Sequence, residues 1–159
     1  MNIKKIIVII VILALMVGIN LFSSQTATES DRVSSKIAKT VVTKLGIITE
    51  EQAQDDSHPI IEQADHIIRK AAHFSIYFFL AFILYIFFYW QMKNPWKAFF
   101  IAWIIAIVYA MFDEYHQTFV NGRSGEIRDV IIDSSGALCG ILVCKVIMLF
   151  INKKKGEKY

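Results

Sequence analysis

Cysteine is nearly missing from this chain: Cys139 and Cys144 are the whole supply. Five residues apart on one predicted helix, they point to different sides and cannot bridge, so they read as small core residues. No zinc-type cysteine spacing occurs. Charge is sparse too, at 19% of residues, and the net +3 comes largely from lysines beside apolar runs. Charged residues, histidine, glycine and proline are all missing from 78–86 and 100–107, the middles of two such runs. Transport sites usually sit near the membrane midplane, often where a helix breaks, so this absence counts against a transporter. Four short crossings also leave little room for a pathway unless copies associate, which keeps a homo-oligomer open.

Apolar surface is what the chain has in plenty. At 55% apolar residues and a mean hydropathy of +0.48, it is too greasy for an ordinary soluble domain. Four runs approach the roughly 17–25 residues needed to span a bilayer: 6–22, 71–90, 97–115 and 130–151. The expected fold is an all-α membrane protein with four transmembrane helices. Residues 1–22 form the first unit. Their apolar run follows Lys4 and Lys5 and is long for a signal peptide, with no small-x-small cleavage site after it, so a retained anchor is the favoured reading. Residues 23–59 make a loop, 60–151 a membrane domain, and 152–159 a basic tail.

Lysine and arginine placement orients the crossings. Lys4 and Lys5, the short turn at 91–97, and the tail with Lys153, Lys154, Lys155 and Lys158 are rich in positive charge and nearly free of acids. Four crossings put all three on one side, which predicts that both termini are cytoplasmic. The loops 23–69 and 116–129 then face outward. Nucleic-acid binding is excluded by that location. In the first outer loop Val33, Ile37, Val41 and Leu45 recur every four residues, which predicts an amphipathic helix ended by Gly46. Pro59 then opens a helical stretch leading into the second crossing.

The scarce charges converge. Arg69, Lys70 and His73 stand at the outer start of the second crossing, Asp113, Glu114, His116 and Gln117 at the outer end of the third, and Asp129 and Asp133 at the outer start of the fourth. Arg123 lies in the loop above them. Arg69 and His73, Asp113 and Gln117, and Asp129 and Asp133 are each four apart and share a helix face. On the fourth helix that face continues through Gly136 and Gly140, a small-residue seam for close helix approach. Adjacent Asp113 and Glu114 need partners to stay ionised, and Arg69, Lys70, Arg123 and Arg128 are available. A metal reading would join Asp113 and His116 with Asp129 and His73, but no tight histidine spacing supports it, and neither metal nor cofactor is expected.

These residues resemble the VanZ-like family of bacterial membrane proteins. The resemblance rests on Arg69-Lys70-Ala71-Ala72-His73-Phe74 with Tyr77, on Asp113-Glu114-Tyr115-His116-Gln117, and on Phe119 with Gly122-Arg123. Asp129-x-x-x-Asp133-x-x-Gly136-x-x-x-Gly140 completes it, over roughly 60–150. Many members carry Asn where Asp133 stands, so that position needs a hydrogen-bonding group and not necessarily a charge. The family's namesake lowers susceptibility to teicoplanin, a glycopeptide antibiotic, which implies a role at the cell envelope without an established reaction.

Two functions follow as expectations. In the first, Arg69, Lys70, His116, Gln117, Arg123, Asp129 and Asp133 bind a membrane lipid or lipid-linked envelope precursor. Arginine suits bidentate phosphate contacts, and Glu114, Asp113 and His73 are the candidates for acid–base work. In the second, the protein is a non-catalytic module that binds a partner protein or the antibiotic, docking through the amphipathic helix.

Overall fold

A computed structural model describes residues 3–55 and 57–155; the end of the basic tail, 156–159, lies outside the described residues. Among these residues there are five α-helices and no strand: α1 (Ile3–Ser23), α2 (Ala27–Lys44), α3 (Pro59–Met92), α4 (Pro95–Gln117) and α5 (Ile127–Lys155). α1, α3, α4 and α5 are each long and apolar enough to cross a membrane. This is an all-helical, multi-pass membrane protein with an additional helix, α2, between its first two crossings.

Local chemistry sets the helix ends. His58 caps α3 by accepting a hydrogen bond from the Ile60 amide at Nδ1, and Pro59 occupies the first turn, where its missing N–H costs nothing. Asn94 caps α4 in the same manner, its Oδ1 accepting from the amides of Trp96 and Lys97 at 3.1 and 3.0 Å ahead of Pro95. Lys93, in the left-handed region at φ 53°, closes α3 one residue earlier. The two helices therefore form a tight antiparallel hairpin. α3 has 34 residues, about 51 Å at 1.5 Å per residue, against a hydrocarbon core of about 30 Å. The stretch opened at Pro59 and the second crossing are thus one helix that stands well clear of the core.

Small side chains decide the packing. Ala98, Ala102, Ala106 and Ala110, four apart on α4, are completely buried. On α5 the buried seam is Asp133, Gly136, Ala137, Gly140, Ile141 and Cys144. A Cβ placed on Gly136 or Gly140 would run into the backbone of Phe74 or Phe78 on α3. Those glycines let two backbones touch, which is how helices associate in lipid, where burial from water contributes little.

α1 is tied in by side chains at several depths. Tyr109 donates a hydrogen bond to the Met16 carbonyl at 2.5 Å, Gln117 donates to Ser23 Oγ at 3.3 Å, and Lys5 donates to Gln91 Oε1 at 2.7 Å. α2 lies along the membrane-distal part of α3, burying Ala38 and Val42, the latter in a small core with Ile48 and Ile61. The predicted stripe of Val33, Ile37, Val41 and Leu45 sits beside that contact and remains 60%, 47%, 42% and 69% exposed. The buried face is turned by one residue to Ser34, Ala38 and Val42, because small side chains permit the closer approach.

Candidate functional site

The alanine seam of α4 does not stop at Ala110. Its continuation is Asp113, Glu114 and Gln117, so the tightest packing line of the crossing ends in two acids and an amide, all buried. α5 brings Asp133 to the same level, fully buried, one turn above Gly136. α3 contributes His73, whose Nδ1 lies 3.7 Å from Asp133 Oδ1. The glycine seam makes this meeting possible, since α3 and α5 are in backbone contact directly below it.

The loop from α4 to α5 closes over the cluster. A Cβ on Gly125 would strike the Glu114 carbonyl, so only glycine lets the loop lie this close to the end of α4. That approach allows the Glu126 amide to donate to Glu114 Oε2 at 2.9 Å, while Gln117 Nε2 donates to the other oxygen at 3.2 Å. Glu114 is thereby fixed in one orientation. Asp113 and Asp133 are in the opposite situation, since none of their four carboxylate oxygens has a hydrogen-bond partner. Ser23 and Gln117 stand beside Asp113 without closing a bond to it. The Tyr77 hydroxyl, one turn beyond His73, is buried and unpartnered as well.

A family model described as VanZ/LLP1 matches residues 8–149, nearly the whole chain. The chain belongs to the VanZ/LLP1 family. The match takes in most of α1 and all of α2 in addition to nearly all of 60–150, the stretch that carries the resemblance. Among curated proteins and among solved structures, nothing matches the chain.

In this VanZ/LLP1 protein the basic residues take partners different from those their sequence positions suggest. Arg69 pairs with Asp31 on α2 and, at 3.1 Å, with Asp65 on its own helix. Lys70 pairs with Asp129. Arg128 is exposed. Among the described residues, therefore, no lysine or arginine forms an ion pair with Asp113, Glu114 or Asp133. The acids nearer the rim have already neutralised the cations. His116 lines a small cavity with Asn20, Tyr109, Asp113 and Phe119 on the α1 side of α4. The metal grouping weighed from sequence, with His116 and Asp129, is thus not assembled; His73, Asp113, Glu114 and Asp133 are the four that come together.

Three contributors escaped sequence reasoning. Asp65 is four residues before Arg69, a spacing that would have found it had Arg69 not been matched with His73 instead. Asp31 and Ser23 carried no local signal, because their partners lie 38 and 94 residues away.

Two cavities meet above the cluster. One, of about 300 Å³, lies between α1, α2 and α3 and has apolar walls that include Ile19, Phe22, Val33, Ile37 and Ile76. The other, of about 180 Å³, is polar and is bounded by Lys70, Gln117, Glu126 and Asp129. Ser30, Arg69, His73 and Arg123 line both. Arg123 makes no ion pair among the described residues. Burial, reinforced by the positive charge of Arg69, holds its guanidinium below the usual arginine range. An anion arriving there would relieve both causes.

Proposed function

We propose that this VanZ/LLP1 protein resides in the bacterial cell membrane with both termini cytoplasmic. At its extracytoplasmic end it holds an amphiphilic anion, a membrane lipid or lipid-linked envelope precursor, and so lowers glycopeptide susceptibility. The observation that carries this reading is the junction of an apolar and a polar cavity at Arg69, His73 and Arg123. A ligand with a hydrocarbon chain and an anionic head matches both chambers at once: the chain lies among Phe22, Val33 and Ile76 and the head against Arg123. Arg123 is the principal anion contact, because Arg69 and Lys70 already carry carboxylate partners. Glu114, held by the Glu126 amide, and His73 stand behind the head group, where acid–base work would be done.

The exposed stripe on α2 was also a basis for a partner-binding module. Val33 and Ile37 are walls of the apolar cavity, which favours the ligand reading for that half of the stripe.

The test is teicoplanin susceptibility in cells expressing wild type, Glu114→Gln or Arg123→Ala at matched membrane levels. Wild type protects; Arg123→Ala removes most of the protection and Glu114→Gln a substantial part. Equal protection by all three would make the polar cluster structural and favour the partner-binding module. No protection by wild type would separate this member from the namesake's phenotype.

Topology has its own check. Ser57 and Asn121 are exposed at the same end of the bundle as the site. In a background without Cys139 and Cys144, Ser57→Cys and Asn121→Cys react with a membrane-impermeant maleimide in intact cells. Protection of both until the cells are lysed would invert the orientation.

A further inference from the structure

Three carboxylates and an imidazole share a buried space without the counter-charge that such a group requires. His73, Asp113, Glu114 and Asp133 each direct one ligand atom into it, and those atoms all lie within 4.8 Å of one another. Asp113 is 3% exposed and Asp133 0%, and all four of their oxygens lack a hydrogen-bond partner. Glu114 is 4% exposed, and its hydrogen bonds from Gln117 and the Glu126 amide leave further lone pairs. Buried carboxylates without partners are costly, and neighbouring ones repel each other. Elsewhere the protein solves the same problem with cations: Asp65 and Asp31 have Arg69, and Asp129 has Lys70. Among the described residues no lysine or arginine pairs with the inner three, and His73, 3.7 Å from Asp133, is the basic group beside them.

We propose that His73, Asp113, Glu114 and Asp133 form a binding site for one divalent first-row metal ion, of the Mn²⁺ or Zn²⁺ type. The dimensions suit a single ion: metal–ligand bonds of about 2.0–2.3 Å put donors on opposite sides about 4.0–4.6 Å apart. The donor set points the same way. Carboxylate oxygens favour hard ions such as Mn²⁺, and the one imidazole nitrogen favours a transition ion over Ca²⁺ or Mg²⁺. Supporting contacts are in place as well, since the Glu126 amide and Gln117 fix the Glu114 carboxylate, as second partners orient metal ligands elsewhere. Three carboxylates balance the ion's charge and leave a net single negative, which the nearby Arg123 offsets across the shared wall at His73. The ion would then lie directly beneath the anion chamber. That last consequence rests on the lipid reading; the metal site itself does not.

The decisive experiment uses the full-length protein, purified in detergent, stripped with chelator and titrated with Mn²⁺ while free ion is followed by electron paramagnetic resonance. No lipid ligand or activity is involved, so failure here leaves the lipid reading untouched. Wild type takes up about one Mn²⁺ per chain, and Zn²⁺ displaces it. Asp113→Asn weakens binding by about tenfold or more, whereas Glu62→Gln, an exposed acid in the first turn of α3, leaves it essentially unchanged. His73→Gln provides a second line should Asp113→Asn not fold: nitrogen coupling to the bound Mn²⁺, seen with ¹⁵N-histidine, disappears with the imidazole. No uptake by wild type overturns the proposal. So does uptake unaffected by both Asp113→Asn and His73→Gln.

Discussion

Asp113→Asn is expected to unfold at a higher temperature than wild type when both are stripped with chelator, while losing the proposed effect on glycopeptide susceptibility. Asp113 is buried to 3% exposure with neither oxygen partnered, and Glu114 and Asp133 add negative charge beside it. The amide keeps the shape of the carboxylate and removes its charge. Relief of one buried, uncompensated carboxylate stabilises by about 1–3 kcal/mol. Such gains at a working site usually come with lost function. Thermal unfolding in detergent reads the first half, and teicoplanin susceptibility at matched expression reads the second. Asp133→Asn should cost less function, since many members of the resembling family carry Asn there. A destabilised Asp113→Asn would mean that the carboxylate is held by favourable contacts, and the reverse functional ranking would move the centre of the site toward α5.

The second large effect is structural. Gly140→Leu is expected to prevent accumulation of folded protein, because its Cβ alone would collide with the Phe78 backbone. Backbone cannot swing aside like the end of a flexible side chain, so α3 and α5 must separate along the seam that also aligns His73 with Asp133. Overpacking of a close-packed contact costs about 1–3 kcal/mol, and more where backbone must move, a large part of a stability of about 5–15 kcal/mol. Gly18→Ala is the contrasting variant, since a Cβ there meets nothing within 4 Å. Membrane-fraction yield and unfolding temperature of the two proteins make the comparison. Normal yield of Gly140→Leu would show that the seam is looser than its geometry requires.

The parts of this architecture written at short range were legible in the sequence. Apolar runs of spanning length announce four crossings, and the four-residue spacings Asp113/Gln117 and Asp129/Asp133 correctly place those groups on inward faces. Gly136 and Gly140 likewise announce close approach by their spacing alone. What was not legible is choice among partners. Four cations and several acids gather at one level, and periodicity does not say which pairs form. Arg69 is claimed by Asp31 because α2 folds against α3, a tertiary event with no local signature. The face of α2 was misjudged for a related reason: beside a bilayer an apolar stripe can remain outside, and Ser34 and Ala38 pack more closely than the branched residues next to them. His116 falls outside the four because α4 advances about 100° per residue: it lies about 100° from Gln117, at the edge of the face, and borders Asp113 only on the side toward α1.

If the apolar cavity between α1, α2 and α3 takes the lipid chain proposed above, it also sets the scale on which affinity should be expressed. A hydrocarbon chain moving from lipid into that chamber exchanges one greasy surrounding for another. The roughly 0.8 kcal/mol per methylene that drives chains out of water does not appear in the balance. Selectivity among lipids must then come almost wholly from the head group at Arg123 and its neighbours. Chain length matters only for fit. Occupancy follows the fraction of ligand among the surrounding lipids, so diluting the sample with buffer leaves it unchanged, whereas diluting it with inert lipid or detergent empties the site.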